Sequence, residues 1–208
     1  IDLDPENVTA HHLYAYSLVL QTRYDEALDE IKIALTLDPF NLITNRTLGD
    51  FYFHMREYNK AEEQLLKTLE MDSAFNFTHA YLGLVYLMKS QCEDALDEIQ
   101  KESVFGQGTG DIALAWKGYA HAYCGNKEEA LIILNNLIES SKNRYIPPSF
   151  FTWILFAQGE NEQGFMWLEK AFNERDPYLT EIKSSHFYDG IRSDPRYTDL
   201  LQRMNLDQ

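Results

Sequence analysis

The apolar pattern of this chain repeats. A small residue that follows a short polar turn and precedes an apolar step recurs as Ala27, Ala61, Ala95, Ala130 and Gly164, at intervals of 34, 34, 35 and 34 residues. Twelve residues before each of these stand Ala15, Gly49, Gly83, Gly118 and Thr152. Two antiparallel helices approach closely only where neither carries a bulky side chain, so this spacing predicts five helix-turn-helix units. Large side chains beside the contacts, among them Ile31, Leu48, Tyr52, Leu65, Leu82, Tyr86, Ile99, Leu134 and Leu168, are expected to fill the gaps between the helices. Closing signals keep the same register: Asp38-Pro39, Asp176-Pro177 and the opening Asp4-Pro5 each follow an apolar step, where a proline ends a helix and fixes the next turn.

This combination resembles the tetratricopeptide repeat over roughly residues 1–177. The resemblance implies an all-α fold: a right-handed superhelix (an α-α solenoid) of about five repeats with a C-terminal helical cap. The expected boundaries are the end of a preceding repeat at 1–7, repeats at 8–41, 42–75, 76–110, 111–144 and a degenerate 145–177, and capping helices over 178–208. Three features depart from the repeat. Ser73 stands where a closing proline is usual, a Gly-rich stretch through Gly110 is expected to form a kink or hinge, and Pro147 and Pro148 open the fifth repeat. Beyond the repeats, Asp194 and Pro195 predict a capped last helix with Tyr197, Leu200, Leu201 and Met204 on one face. This tail resembles the closing segment of bacterial multidomain proteins with such repeats.

In the tetratricopeptide family the first helix of each repeat lines a concave groove. Projecting that register here gives His12 and Tyr16 from the first repeat, Arg46, Asp50 and Phe53 from the second, and Tyr81 and Leu84 from the third. The fourth supplies Trp116, Tyr119 and Tyr123, and the fifth Phe150 and Trp153. Arg46 and Asp50 are the ionised members. The rest is apolar or aromatic, the side-chain class that dominates binding hot spots. The resemblance therefore implies a non-enzymatic scaffold that binds a protein or peptide with an apolar or amphipathic segment. The competing readings are burial of the aromatics by the chain itself, pairing of two copies as a homodimer, and a regulatory domain of a transcription regulator, adenylate cyclase or kinase. A carboxylate clamp of the chaperone-docking type is disfavoured, because the groove offers Arg46 and little else.

Composition narrows the classes. The 33 acidic and 18 basic residues give a net charge of −15, which opposes binding to nucleic acid or anionic lipid. No apolar run nears the roughly 18 residues of a membrane span, and no secretion signal opens the chain, so a cytoplasmic placement is expected. The start at Ile1 rather than Met reads as a piece of a larger, bacterial protein. No metal, cofactor or catalytic set is expected. The six histidines show no chelating spacing, Gly106 to Gly110 lacks the lysine of a phosphate loop, and Cys92 and Cys124 form no CxxC and read as free thiols. Asn7, Asn45 and Asn76 match glycan acceptor sites but read as helix-start residues.

Overall fold

A computed structural model describes residues 4–105 and 110–207, and among them the fold is all-α. It divides into two compact units, Ile1–Thr109 and Gly110–Gln208.

The first unit holds α1 (Val8–Leu20), α2 (Tyr24–Leu37), α3 (Leu42–His54), α4 (Tyr58–Met71), α5 (Thr78–Met88) and α6 (Cys92–Phe105). They pack as the pairs α1/α2, α3/α4 and α5/α6, with each later pair resting on the one before it. The glycines set the approach within a pair. A methyl group on Gly83 would lie 2.9 Å from the backbone oxygen of Ala95, and one on Gly49 would lie 2.7 Å from Leu65 Cγ. Ala15, Leu18, Ala27 and Ile31 then form one cluster with Leu48 and Phe51 of the next pair. Each large apolar side chain fully buried there, such as Leu18 or Ile31, contributes about 1.5–3 kcal/mol.

Each pair closes through a three-residue turn whose middle residue is left-handed: Thr22 (φ 60°), Arg56 (φ 63°) and Ser90 (φ 61°). The following N–H groups of Arg23, Glu57 and Gln91 reach back 2.9 Å to the carbonyls of Leu18, Tyr52 and Tyr86, which satisfies the helix end. None of the three middle residues is glycine. A β-branched residue such as Thr22 is strained in this region.

A polar clamp recurs at the same period. His11 Nδ1 lies 2.6 Å from Glu30 Oε2, and its Nε2 lies 2.9 Å from the Pro5 carbonyl. His79 repeats this with Glu98 at 2.6 Å and the Ser73 carbonyl at 3.0 Å. Both partners of each ring are acceptors, so the doubly protonated imidazolium satisfies both. The glutamate hydrogen bond accordingly raises both histidines above their ordinary 6.5. The second pair carries a neutral version. Asn45 Nδ2 donates 2.9 Å to the Pro39 carbonyl, and Gln64 Nε2 donates 2.9 Å to Asn45 Oδ1. Asn45 is therefore a buried clamp residue rather than a cap. The cap of α3 is Asn41, which accepts from Thr44 N–H at 3.0 Å, and Asn7 caps α1 in the same way at 2.9 Å from Ala10 N.

The second unit holds α7 (Gly110–Tyr123), α8 (Lys127–Ser141), α9 (Pro148–Gln158) and α10 (Asn161–Asn173). Two 3-10 segments follow, Pro177–Glu181 and His186–Ile191, and then α11 (Pro195–Arg203). Here the left-handed residues in the turns within each pair are Gly125 and Gly159. Every residue of α9 from Pro148 to Phe156 is buried, as expected of a helix that is apolar all round. Gly118 of α7 faces Ile154 of α9, and Gly164 of α10 faces the ring of Phe156. Asp194 accepts from Arg196 N–H at 2.9 Å and caps α11. This last helix lies on α10, with the Arg196 guanidinium 3.9 Å from the Phe165 ring and that of Arg203 4.4 Å from the Phe172 ring.

One sequence expectation ends differently. Cys92 and Cys124 are not free thiols, and both are disulfide-bonded. A disulfide depends on spatial approach, which spacing along the chain does not reveal. The hinge expected in the Gly-rich stretch falls on 106–109, outside the described residues.

Replacing Thr22 by Gly is expected to stabilise the chain by about 0.5–1 kcal/mol, because relief of about 1–2 kcal/mol of left-handed strain exceeds the entropic cost of glycine. A higher urea midpoint at unchanged slope is the check. The clamps also make stability depend on pH. The raised pKa of His79 gives a contribution that is complete below its ordinary 6.5 and is lost as pH rises through the raised value. Burial pushes Glu98 up, but hydrogen bonds from His79 and Lys101 outweigh it and hold the carboxyl below its ordinary 4.5, so its contribution is lost as pH falls. Melting temperature should therefore fall from pH 6 to pH 8. That slope should flatten when His11/Glu30 and His79/Glu98 are replaced by the Asn/Gln combination of the second pair.

Candidate partner-binding face

The residues projected onto the groove divide between the two units and meet different fates. In the first unit His12, Tyr16, Arg46 and Tyr81 are half-buried, whereas Asp50, Phe53 and Leu84 are buried. In the second unit Trp116, Tyr119, Phe150 and Trp153 are all buried, and Tyr123 alone of its set is exposed.

Part of the cover in the second unit is the chain's own tail. Phe187, in the second 3-10 segment, stacks on Trp153 at 4.4 Å and 22°, and meets Tyr119 edge-on at 4.6 Å. Tyr119 and Trp153 hold the same register, one residue after Gly118 and Thr152. One tail ring thus spans equivalent positions on two first helices. Tyr178 packs on Phe150 at 4.9 Å and edge-on to Trp153 at 5.7 Å. The indole Nε1–H of Trp153 donates 3.2 Å to Tyr188 Oη. Complete burial of Tyr188 pushes its phenol up to about 12. The tail is fastened in turn. Asp176 is buried and accepts from Ser149 N–H at 2.8 Å and Tyr178 N–H at 2.9 Å. Arg192 joins Asp189, the Ser185 carbonyl and Tyr197 Oη, and Tyr197 donates 3.0 Å to the Ile182 carbonyl. Sequence reasoning missed Tyr178, Phe187 and Tyr188 because a 3-10 segment carries no 3.6-residue period. The run of aromatics in an otherwise polar tail was the available signal.

In the first unit the corresponding face is more open. Leu13 is 60% exposed on α1 and Ile43 is 51% exposed at the start of α3. The guanidinium carbon of Arg46 lies 5.7 Å from the Phe77 ring centroid and 5.5 Å from that of Tyr81. His12 Nε2 lies 3.0 Å from Thr47 Oγ1. Burial, and then the positive charge of Arg46, hold its imidazole below 6.5. Asp50, one turn beyond Arg46, is turned to His54 at 3.3 Å. Phe77 itself is left-handed (φ 67°) and starts α5 without a side-chain cap of its own; the buried carboxylate of Glu102 accepts its N–H at 2.9 Å instead. Burial raises the pKa of Glu102 despite that bond.

Among the described residues no three His, Cys, Asp or Glu side chains converge as metal ligands, and no helix is long and apolar enough to cross a membrane.

No protein-family model matches the sequence, and no curated protein matches it. Solved structures do. A tetratricopeptide repeat protein from Parabacteroides merdae ATCC 43184 is 18% identical, with a TM-score of 0.61 over 97% of this chain and 79% of that one. YrrB, a TPR protein with an unusual peptide-binding site, is 20% identical, with a TM-score of 0.51 over 88% of this chain and 94% of that one. The MamA protein is 19% identical, with a TM-score of 0.51 over 85% of this chain and 92% of its own. At these identities the likeness is one of fold: this chain has the all-α tetratricopeptide-repeat solenoid fold.

Packing of this kind makes Trp153 a core residue. Trp153→Ala should cost about 3–5 kcal/mol in urea unfolding followed by circular dichroism. A loss below about 1 kcal/mol would place the side chain on a free surface instead.

Proposed function

We propose that this chain is a non-enzymatic protein-binding scaffold, and that the partner is held on the first-helix face of the unit Ile1–Thr109. The observation that carries the reading is the contrast between equivalent faces. In Gly110–Gln208 the aromatic row is packed under Phe187 and Tyr178 of the same chain. In Ile1–Thr109 the apolar Leu13 and Ile43 remain exposed beside half-buried Tyr16 and Tyr81. Exposed apolar and aromatic side chains gathered on one face are the makings of an interaction site. The peptide-binding site of YrrB, which shares the fold, supports the same class of function. The segment this face suits is apolar or amphipathic, since Arg46 is the only cation among the projected positions there.

The test is a quantitative pull-down from the source organism's lysate, with the chain as bait beside an Ile43→Ser/Tyr81→Ala variant of unchanged helicity. A protein retained by the wild type and lost by the variant is the expected result. Retention of nothing, or of the same set by both baits, overturns the reading. Light scattering on the same samples distinguishes the homodimer alternative, which requires a doubled mass that the variant abolishes.

A further inference from the structure

We infer that Glu102 sets the Phe77 end of the partner-binding face, holding it while the carboxylate is ionised and releasing it when the carboxylate takes up a proton. The inference rests on the scaffold reading and adds an acid-sensitive control to it. The first helices of the first two pairs start with a local cap, Asn7 and Asn41, each accepting an N–H from three residues on. Phe75 stands at that position in the third pair and has no side-chain acceptor to offer. There α5 begins after Phe77, whose backbone is left-handed (φ 67°) and whose side chain caps nothing. The acceptor comes from the opposite helix. Glu102 of α6 is buried, accepts the Phe77 N–H at 2.9 Å and also accepts from the Ala80 N–H. The same register elsewhere carries Ala34, Thr68, Leu137 and Ala171, so helix packing does not call for a carboxylate there.

An ionised carboxylate offers an acceptor to both N–H groups, whereas a neutral carboxyl turns an O–H donor towards one of them. Left-handed backbone is unfavourable for a bulky residue, so Phe77 keeps it only while the charge-assisted bond outweighs the strain. The Phe77 ring centroid lies 5.7 Å from the Arg46 guanidinium carbon on the first-helix face, so relaxation of this backbone moves a ring of that face. Burial pushes Glu102 above its ordinary 4.5, outweighing the Phe77 and Ala80 hydrogen bonds and the positive charges of His79 on α5 and Arg46 on α3. On its own helix, burial pushes Glu98 up as well, but hydrogen bonds from His79 and Lys101 hold that carboxyl below 4.5. As pH falls, Glu102 therefore becomes neutral while the His79–Glu98 clamp is still charged. The change is confined to the start of α5.

Nuclear magnetic resonance of the whole chain, isotope-labelled at phenylalanine and alanine, tests this from about pH 7.5 down to about pH 4. The Phe77 and Ala80 amides should shift together with one apparent pKa. Across that transition Phe77 should lose about tenfold of its protection from hydrogen exchange, after correction for pH. Glu102→Gln, which keeps one acceptor and turns a donor to the other N–H, should show the acid-form shifts already at neutral pH and titrate no further. Amides that do not titrate, or that titrate equally in Glu102→Gln, overturn the inference, and the wild-type titration decides even if the variant does not fold. A transition that vanishes when His79/Glu98 are replaced by Asn/Gln belongs to the clamp and overturns it too. For binding, the protein retained in the pull-down at neutral pH should be lost by the wild-type bait near pH 5 and held weakly by Glu102→Gln at both values. Equal retention by both baits at both values overturns the control and leaves the scaffold standing, whereas retention of nothing at neutral pH overturns the scaffold itself.

Discussion

Everything in this chain follows from how closely the two helices of a pair are allowed to approach. With a methyl group on Gly83, the added carbon would sit 2.9 Å from the Ala95 oxygen, and the pair would have to open. With hydrogen there, Ile99 and Leu65 lie across their partner helices and are buried almost completely. Protein interiors are packed like organic crystals and tolerate little displacement. The same small residue must therefore return at each pair, and the chain can repeat the unit only by repeating the spacing. The left-handed turns obey this constraint too. Thr22, Arg56 and Ser90 accept an unfavourable backbone because a helix end held so close to its partner leaves room for only one tight reversal.

On this shared frame the two units solve the next problem differently. The first unit fixes the loop ahead of each pair to its two helices by polar clamps: His11 with Glu30, Asn45 with Gln64, and His79 with Glu98. The second unit carries Leu114 and Ile133, or Pro148 and Trp167, in the same register and holds itself with apolar packing. Its tail provides the rest. Tyr178, Phe187 and Tyr188 supply aromatic surface, and Asp176 and Arg192 anchor the backbone that carries them. In the second unit the first-helix face is thus spent on internal stability, while in the first unit Leu13 and Ile43 of that face stay exposed.

The pairing of helices was legible in the sequence because it depends on residue size at fixed spacing, and size is what a sequence records directly. The fate of the groove was not. Projection at 3.6 residues per turn places Tyr16 and Trp153 on the same kind of face, but it says nothing about what approaches that face from a distant part of the chain. Trp153 is covered from residues more than thirty positions away, in a segment without helical period. The clamps were missed for a different reason. The histidines were read only for chelating spacing, although positions 11, 45 and 79 and positions 30, 64 and 98 share one period and pair donors with acceptors. The cysteines failed for the reason the groove did, since spatial approach decides and spacing does not.

One register position shows how cover and identity go together. Tyr16, Asp50, Leu84, Tyr119 and Trp153 each follow the small residue of a first helix. Tyr119 and Trp153 meet the Phe187 ring and are aromatic, as stacking requires. Asp50 lies at the same position in the first unit, buried with His54 Nε2 3.3 Å away. An aspartate cannot take part in the ring packing that Phe187 makes in the second unit. The first unit is therefore not built to receive an aromatic tail of that kind at this point. What it presents one turn earlier is Arg46 against two rings. Chemistry at equivalent positions thus separates a face that can close under an aromatic tail from one that cannot.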